Sequence, residues 1–160
     1  MNNHDITNEQ QKFFKLLEYS NELKRNKDCL ETKDFEAFKI LLKFLVRIEN
    51  NLHYSEKEEY IRLVKDFLAD KISADDFSYS FMAIYEGINK ICSQLEEEKS
   101  PELATFLKPC RSELGKLLMK IYGSCDAFSP DSENTMSNEQ ELKDYAQILL
   151  LELQYQLNYE

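Results

Sequence analysis

Apolar residues recur three and four positions apart along most of the chain, with charged residues between them. This spacing places the apolar side chains on one face of an α-helix. Six segments show the pattern, and they open near Thr7, Thr32, Ser55, Ser73, Ser100 and Ser137. The pattern predicts an all-α antiparallel bundle of about six helices.

Several local signals mark where these helices begin and end. Ser55–Glu58 matches a capping box, and Ser73–Asp76 resembles one, so each predicts a helix start. In Ser100–Pro101 the serine is placed as N-cap, and the proline occupies the first helical position. Pro109 is expected to kink or divide the fifth helix because proline lacks a backbone donor. Gly123 is expected to end it.

The composition agrees with a helical protein that is not anchored in a membrane. The chain has 160 residues but only three Gly and three Pro, too few turn residues for an all-β fold. Its apolar runs fall short of the roughly 18 to 20 residues that span a bilayer. Met1 to Lys12 is polar, so we expect neither a secretory signal nor a transit sequence. The expected location is the cytoplasm, or the plastid stroma if the gene is plastid-encoded.

The cysteines and histidines indicate neither a metal site nor a cofactor. The four cysteines are widely scattered, none forms a CxxC pair, and the two histidines are far from them in sequence. We therefore expect no zinc site. The simplest interpretation is four small core or half-buried residues in a reducing compartment.

The formal charge of −10 is concentrated near the end of the chain. From Ser124 to Glu160 there are eight acidic residues and one basic residue, Lys143, so this quarter carries −7. Direct binding to nucleic acid is disfavoured because phosphate contacts need basic patches. A basic protein partner, attracted by the long-range field, is favoured.

The acidic loop, residues 126–133, is the strongest candidate for function. It holds the carboxylates Asp126, Asp131 and Glu133 around Phe128 and Pro130. Carboxylates on a proline-stiffened loop can pair with Lys, Arg and His of a partner at little ordering cost. The alternative is a solvated interhelical loop whose Asp and Ser residues serve turns and caps.

One spacing suggests catalysis. Arg47 and His53 fit the loose Arg-x4–6-His spacing of the helical ribonucleases called HEPN domains. There Arg would stabilise phosphate charge while His moves a proton. The simpler interpretation is a surface Arg and a histidine near the negative end of a helix dipole. No phosphate loop and no Ser/His/Asp or Cys/His signature is present, so we predict a protein that is not an enzyme.

Two sequence segments together resemble the colicin D immunity family of bacterial self-protective colicin-like immunity proteins. The first, Tyr60–Phe77, has the form Phe-Leu-x-x-Lys-Ile-Ser-Ala-x-Asp-Phe at its end, and the second is the Asp126–Asp131 motif Asp-x-Phe-x-Pro-Asp. The resemblance covers roughly Ser55 to Gln156. It implies a four-helix immunity-type domain at 55–160 and an added N-terminal helical pair at 1–54, with the boundary near Glu49–Tyr54.

The resemblance also implies a function. Such proteins occlude the active site of a toxin nuclease, and the best-known member blocks a transfer-RNA anticodon nuclease with acidic groups. Asp126, Asp131 and Glu133 match acidic positions of that loop, and Phe128 and Pro130 match its shape-giving residues. Ser129 departs from the best-known member, which has an acid there. The sequence thus predicts an inhibitor of a basic toxin nuclease; the alternative is a helical adaptor that uses the same acidic face.

Overall fold

The computed structural model describes residues 3–109, 114–128 and 138–157, with side chains over 8–109, 114–128 and 138–154. These residues form seven α-helices and one 3-10 helix, with no strand among them. The α-helices are α1 (Asn3–Arg25), α2 (Leu30–Lys33), α3 (Phe35–Ser55), α4 (Lys57–Leu68), α5 (Ala74–Glu97), α6 (Leu114–Ala127) and α7 (Glu139–Leu157); the 3-10 helix is Pro101–Phe106. The predicted all-α helical bundle is confirmed. None of the described helices is both long and apolar enough to cross a bilayer.

The chain divides into two compact units. Unit 1 comprises Met1–Asn51 and Ile91–Arg111, and unit 2 comprises Leu52–Lys90 and Ser112–Glu160. Helices α3 and α5 contribute residues to both units. The division into domains at residues 54 and 55 stays a prediction.

Unit 1 has an apolar core around an aromatic cluster. Phe13 packs edge-to-face against Phe14 and Phe44, with ring centroids 5.1 Å and 5.7 Å apart. Buried aliphatic residues complete this core, namely Leu17, Leu30, Leu41, Ile48, Leu103 and Leu107. Burial of each such side chain contributes roughly 1.5–3 kcal/mol, so this core stabilises unit 1.

Two polar side chains of α3 hold the segment before Pro109. The Asn51 amide donates to the carbonyls of Phe106 (2.8 Å) and Lys108 (2.9 Å). The Arg47 guanidinium donates to the carbonyl of Leu107 (3.1 Å). The 3-10 helix ends at Phe106, so these carbonyls have no continuing helix to satisfy them. Arg47 and Asn51 therefore act as caps for this break.

Unit 2 is built around stacked aromatic rings from α4 and α5. Phe67 and Phe77 stack with centroids 4.2 Å apart, and Tyr60 lies 5.5 Å from Phe81. Helix α7 packs against α4 and α6. It contributes one buried face to this core, formed by Leu142, Ala146, Leu149 and Leu153.

A fully buried histidine joins the last turn of α3 to α4 and α5 within unit 2. Its Nε2 lies 3.1 Å from Asn89 Oδ1, which can only accept, so Nε2 carries the proton. Its Nδ1 then accepts from the Tyr60 hydroxyl at 3.0 Å, and its ring stacks on Tyr85 at 5.0 Å. Burial lowers the pKa of His53 to about 4, so the imidazole is neutral.

Two predicted helix boundaries, at Ser55 and Gly123, are wrong. Ser55 does not cap a new helix, because α3 continues through it and its hydroxyl bonds back to the Leu52 carbonyl at 2.6 Å. Gly123 does not end α6, which runs on to Ala127, and its φ is not positive. The predicted division at Pro109 is confirmed, because this proline lies between the 3-10 helix, which ends at Phe106, and α6, which begins at Leu114.

Other boundaries follow the predicted signals. Ser73 Oγ accepts from the Asp76 amide at 3.1 Å and donates to its carboxylate at 2.7 Å, so this pair starts α5. Ser100 caps the 3-10 helix by accepting from the Glu102 amide.

Three helices end on a residue in the left-handed conformation, and none of the three is glycine. Lys27, Asp70 and Lys99 have φ of 61°, 54° and 50°. Each is followed by an amide that bonds back five residues, as in Asp28 N to the Leu23 carbonyl at 2.9 Å. This is the Schellman pattern, and a side chain in this conformation costs free energy that glycine avoids. A chain with few glycines can therefore still form such helix ends, because Lys and Asp take the left-handed position here.

Replacing Lys27 by glycine is expected to stabilise unit 1. Lys27→Gly should raise the free energy of unfolding by about 1 kcal/mol, because it removes the strain of a left-handed lysine. Lys12→Gly, at an exposed position inside α1, is the matched control and should lower it by about 1 kcal/mol. Urea unfolding measures both. A loss of stability in Lys27→Gly would contradict the assigned helix end.

Acid should destabilise unit 2 through His53. Between pH 6.5 and pH 4 the unfolded chain protonates this imidazole and the native chain does not. The native pKa is depressed, so the contribution is complete above about pH 6.5 and falls by roughly 3 kcal/mol as the pH drops to about 4. Urea unfolding at several pH values should show a smaller acid loss in His53→Gln than in the wild type. Equal pH dependence of the two proteins would show that His53 titrates normally.

Candidate functional site

Asp126 lies on a helix rather than in a loop. It is exposed in the last turn of α6, and this turn contains no basic residue. The C-terminal end of a helix carries partial negative charge, so a carboxylate is unfavourable there. Within the described part of the chain Asp126 has no ion-pair partner. Among the described residues, its negative charge is therefore not balanced by an ion pair.

The rest of the predicted loop site is described only in part. Phe128 follows α6 directly, is half-buried, and donates its backbone amide to the Cys125 carbonyl at 3.2 Å. Pro130, Asp131 and Glu133 lie outside the described residues. Their roles, and the joint action of the five residues, stay predictions.

The helix after the loop is fixed at its start. Asn138 Oδ1 accepts from the Glu141 amide at 2.9 Å and so caps α7. Lys143 donates to Glu139 at 3.0 Å and to Asp70 at 2.6 Å. Lys143 is the one basic residue from Ser124 onward, and its charge is already paired. The negative charge of the neighbouring loop therefore has no basic partner in this quarter of the chain among the described contacts.

Tyr122, one turn before Asp126 on α6, contacts a glutamate of α5. The Tyr122 hydroxyl donates to Glu86 Oε1 at 2.6 Å, and its ring packs 4.9 Å from that of Tyr85. The bond to Glu86 raises the pKa of the Tyr122 phenol, and the charge of Asp126 adds to the effect. The phenol therefore stays protonated and points in a fixed direction. The sequence interpretation missed this pair, although Met119, Tyr122 and Asp126 have the three- and four-residue spacing of one helix face.

The arrangement of Arg47 and His53 does not match the ribonuclease hypothesis. Arg47 is part-buried in unit 1, where it pairs with Glu9 at 2.9 Å and caps the Leu107 carbonyl. It is therefore not the surface residue of the simpler interpretation. His53 is fully buried in unit 2, and both ring nitrogens are hydrogen-bonded. Neither side chain is placed to serve a substrate phosphate jointly with the other.

The cysteines differ from one another in exposure. Cys92 and Cys125 are buried, and burial raises their pKa to about 12 and about 11. Cys29 is exposed, so the prediction of a core or half-buried position is wrong for this residue. Cys110 lies outside the described residues. Within the described ranges no three His, Cys, Asp or Glu side chains are grouped to hold a metal ion.

A family model of bacterial self-protective colicin-like immunity proteins matches residues 56–153, which is more than half of the chain. No curated protein and no solved structure matches the chain. The matched range begins at the residue before α4, includes the acidic loop and ends within α7. Such membership implies a toxin partner and an inhibitory role. The chain belongs to the bacterial self-protective colicin-like immunity family.

Proposed function

We propose that this protein inhibits a toxin ribonuclease of the colicin D type, which cleaves transfer RNA, by occupying its basic active site. Asp126, Asp131 and Glu133 would pair with the Lys, Arg and His side chains that otherwise hold RNA phosphates. Phe128 would serve as an apolar anchor, and Pro130 would limit the conformations of the loop. The site of action is the cytoplasm, or the stroma for a plastid gene.

The observation that carries the proposal is the excess of acidic residues in the last quarter of the chain. The last quarter of the chain has a formal charge of −7, and its one basic residue, Lys143, is bound to Asp70 and Glu139. A basic active site is complementary to such a surface, and complementary charge accelerates association. The nuclease would thus meet carboxylates where it normally meets phosphates.

The position of Asp126 supports this interpretation. Its charge lies at the negative end of α6, where it opposes the helix dipole and has no ion-pair partner among the described residues. Departures from favourable local electrostatics are expected at functional sites. A cation of the partner would relieve the repulsion between the Asp126 carboxylate and the helix dipole. This relief would add to the binding free energy.

The proposal can be tested with the purified nuclease domain of a colicin D-type toxin. The charge-removing variant is Asp126→Asn/Asp131→Asn/Glu133→Gln. The matched control is Glu22→Gln/Glu31→Gln/Glu97→Gln, which changes the net charge equally at exposed positions of unit 1. Binding is measured by calorimetry at two salt concentrations, and protection by growth of cells that produce the nuclease.

The loop variant should weaken binding at least about a hundredfold and abolish protection, because each carboxylate would leave a cation of the partner unpaired. The control should stay within about threefold of the wild type, since it changes only the long-range field. An equal loss of affinity in both variants would show that the loop acts only through the net charge of the protein, not through specific contacts. Wild-type protein that binds no nuclease but retains another partner would favour the adaptor alternative.

A further inference from the structure

Two stripes of side chains on unit 2 have a composition unlike that of an ordinary solvated surface. On α5 the stripe contains Asp75, Tyr79, Met82 and Glu86, spaced four, three and four residues apart; on α6 it contains Met119, Tyr122 and Asp126, spaced three and four apart. Such spacing keeps each set along one side of its helix. We refer to these seven residues as the tyrosine–acid surface.

Direct contacts show that the two stripes adjoin. The Tyr122 hydroxyl on α6 donates to Glu86 on α5 at 2.6 Å. The ring of Tyr122 also packs against Tyr85, one residue before Glu86. Nearer the other end of the stripes, the buried Cys125 of α6 lies close to the buried Ser78 of α5, without a hydrogen bond between them. The seven residues therefore form one surface across two neighbouring helices.

Large side chains are exposed on this surface. Tyr79 is 79% exposed and Met119 is 60% exposed, the highest values among the large apolar side chains of the described residues. Tyrosine and methionine are enriched in the cores of protein interfaces, where they offer large contact area and adaptable packing. These two residues contribute little to the stability of the free protein, because most of their surface remains in water.

The charge of the surface indicates what would cover it. Residues 75–86 and 119–126, which span the two stripes, include the acidic residues Asp75, Asp76, Glu86 and Asp126 and one basic residue, Lys120, so the surface is acidic on balance. A second copy of this chain would bring like charges together, and a nucleic acid would do the same. A basic protein surface is complementary. Hydrogen bonding and ring packing also hold Tyr122 in place, which lowers the entropy lost on binding.

We propose that the tyrosine–acid surface is a second contact for the same toxin nuclease, outside its active site, with Tyr79 and Met119 packing against the partner. This inference rests on the proposed function. Glu86 would accept hydrogen bonds from Arg or Lys of the toxin while it orients Tyr122. Asp126 belongs to both contacts, so the surface is continuous with the acidic loop. A contact outside the catalytic groups provides recognition of one toxin among others that share basic active sites.

The test uses the purified nuclease domain of a colicin D-type toxin and compares exposed side chains of similar size. Tyr79→Ala and Met119→Ala remove the proposed anchors. The controls are Tyr19→Ala in unit 1 and Ile148→Ala and Leu151→Ala on α7, whose wild-type side chains are 37%, 50% and 57% exposed. All five positions face solvent, so all five variants should keep the wild-type thermal transition within a few degrees.

Each anchor variant should raise the Kd at least about tenfold, mainly through faster dissociation, and each control should change it less than about threefold. Tyr122→Phe, which loses only the bond to Glu86, should weaken binding less than Tyr79→Ala does. Wild-type Kd values for Tyr79→Ala and Met119→Ala, together with lost binding in the loop variant, would overturn this inference and leave the proposed function standing. Failure of the wild-type protein to bind the nuclease would overturn both.

Discussion

A neutral histidine buried at the junction of three helices is the interaction on which unit 2 depends. His53 bonds to Tyr60 and Asn89 and stacks on Tyr85. These contacts continue to the protein surface. Tyr85 also packs against Tyr122, and the Tyr122 hydroxyl donates to Glu86. The buried histidine is therefore linked through Tyr85 to Tyr122 in the tyrosine–acid surface. Protonation of that ring would disturb both the helix junction and the surface above it.

In contrast to the buried histidine, the exposed acidic side chain of Asp126 has few stabilising contacts among the described residues. Asp126 opposes the dipole of α6, while Lys143 is occupied by Asp70 and Glu139. Self-repulsion of this kind lowers the stability of the free protein and raises the gain from a basic partner. The apolar core of unit 2, with stacked rings such as Phe67 and Phe77, stabilises the fold against this electrostatic repulsion. The fold thus separates the residues that stabilise from those proposed to bind.

Sequence patterns predicted the helices well because apolar periodicity reports directly on burial. The start of α5 at Ser73 and Asp76 followed from local chemistry that the chain satisfies by itself. The prediction that Gly123 ends α6 failed because a glycine marks a helix end only where its φ is positive. The three left-handed positions among the described residues carry Lys or Asp instead. The break near Pro109 was foreseen, but its anchors Arg47 and Asn51 were not, since they are about 55 to 60 residues away in sequence.

The candidate site was predictable only in part for the same reason. Asp126 and its neighbours form a local motif, so sequence and family resemblance both pointed to them. The pairing of Tyr122 with Glu86 joins residues 36 positions apart and needs the packing of α5 against α6. Local patterns likewise could not distinguish a buried histidine from an exposed one, because the partners of His53 lie on two other helices.

The central claim, that this protein blocks a toxin nuclease by covering its active site, is tested most directly by titration. Increasing amounts of the protein are added to the purified nuclease domain with transfer RNA as substrate. The nuclease concentration is kept well above the Kd of the complex. If the protein covers the active site, cleavage falls linearly and ceases at one equivalent, and the protein and the RNA exclude each other from the nuclease. Full cleavage by nuclease that is saturated with the protein would contradict it.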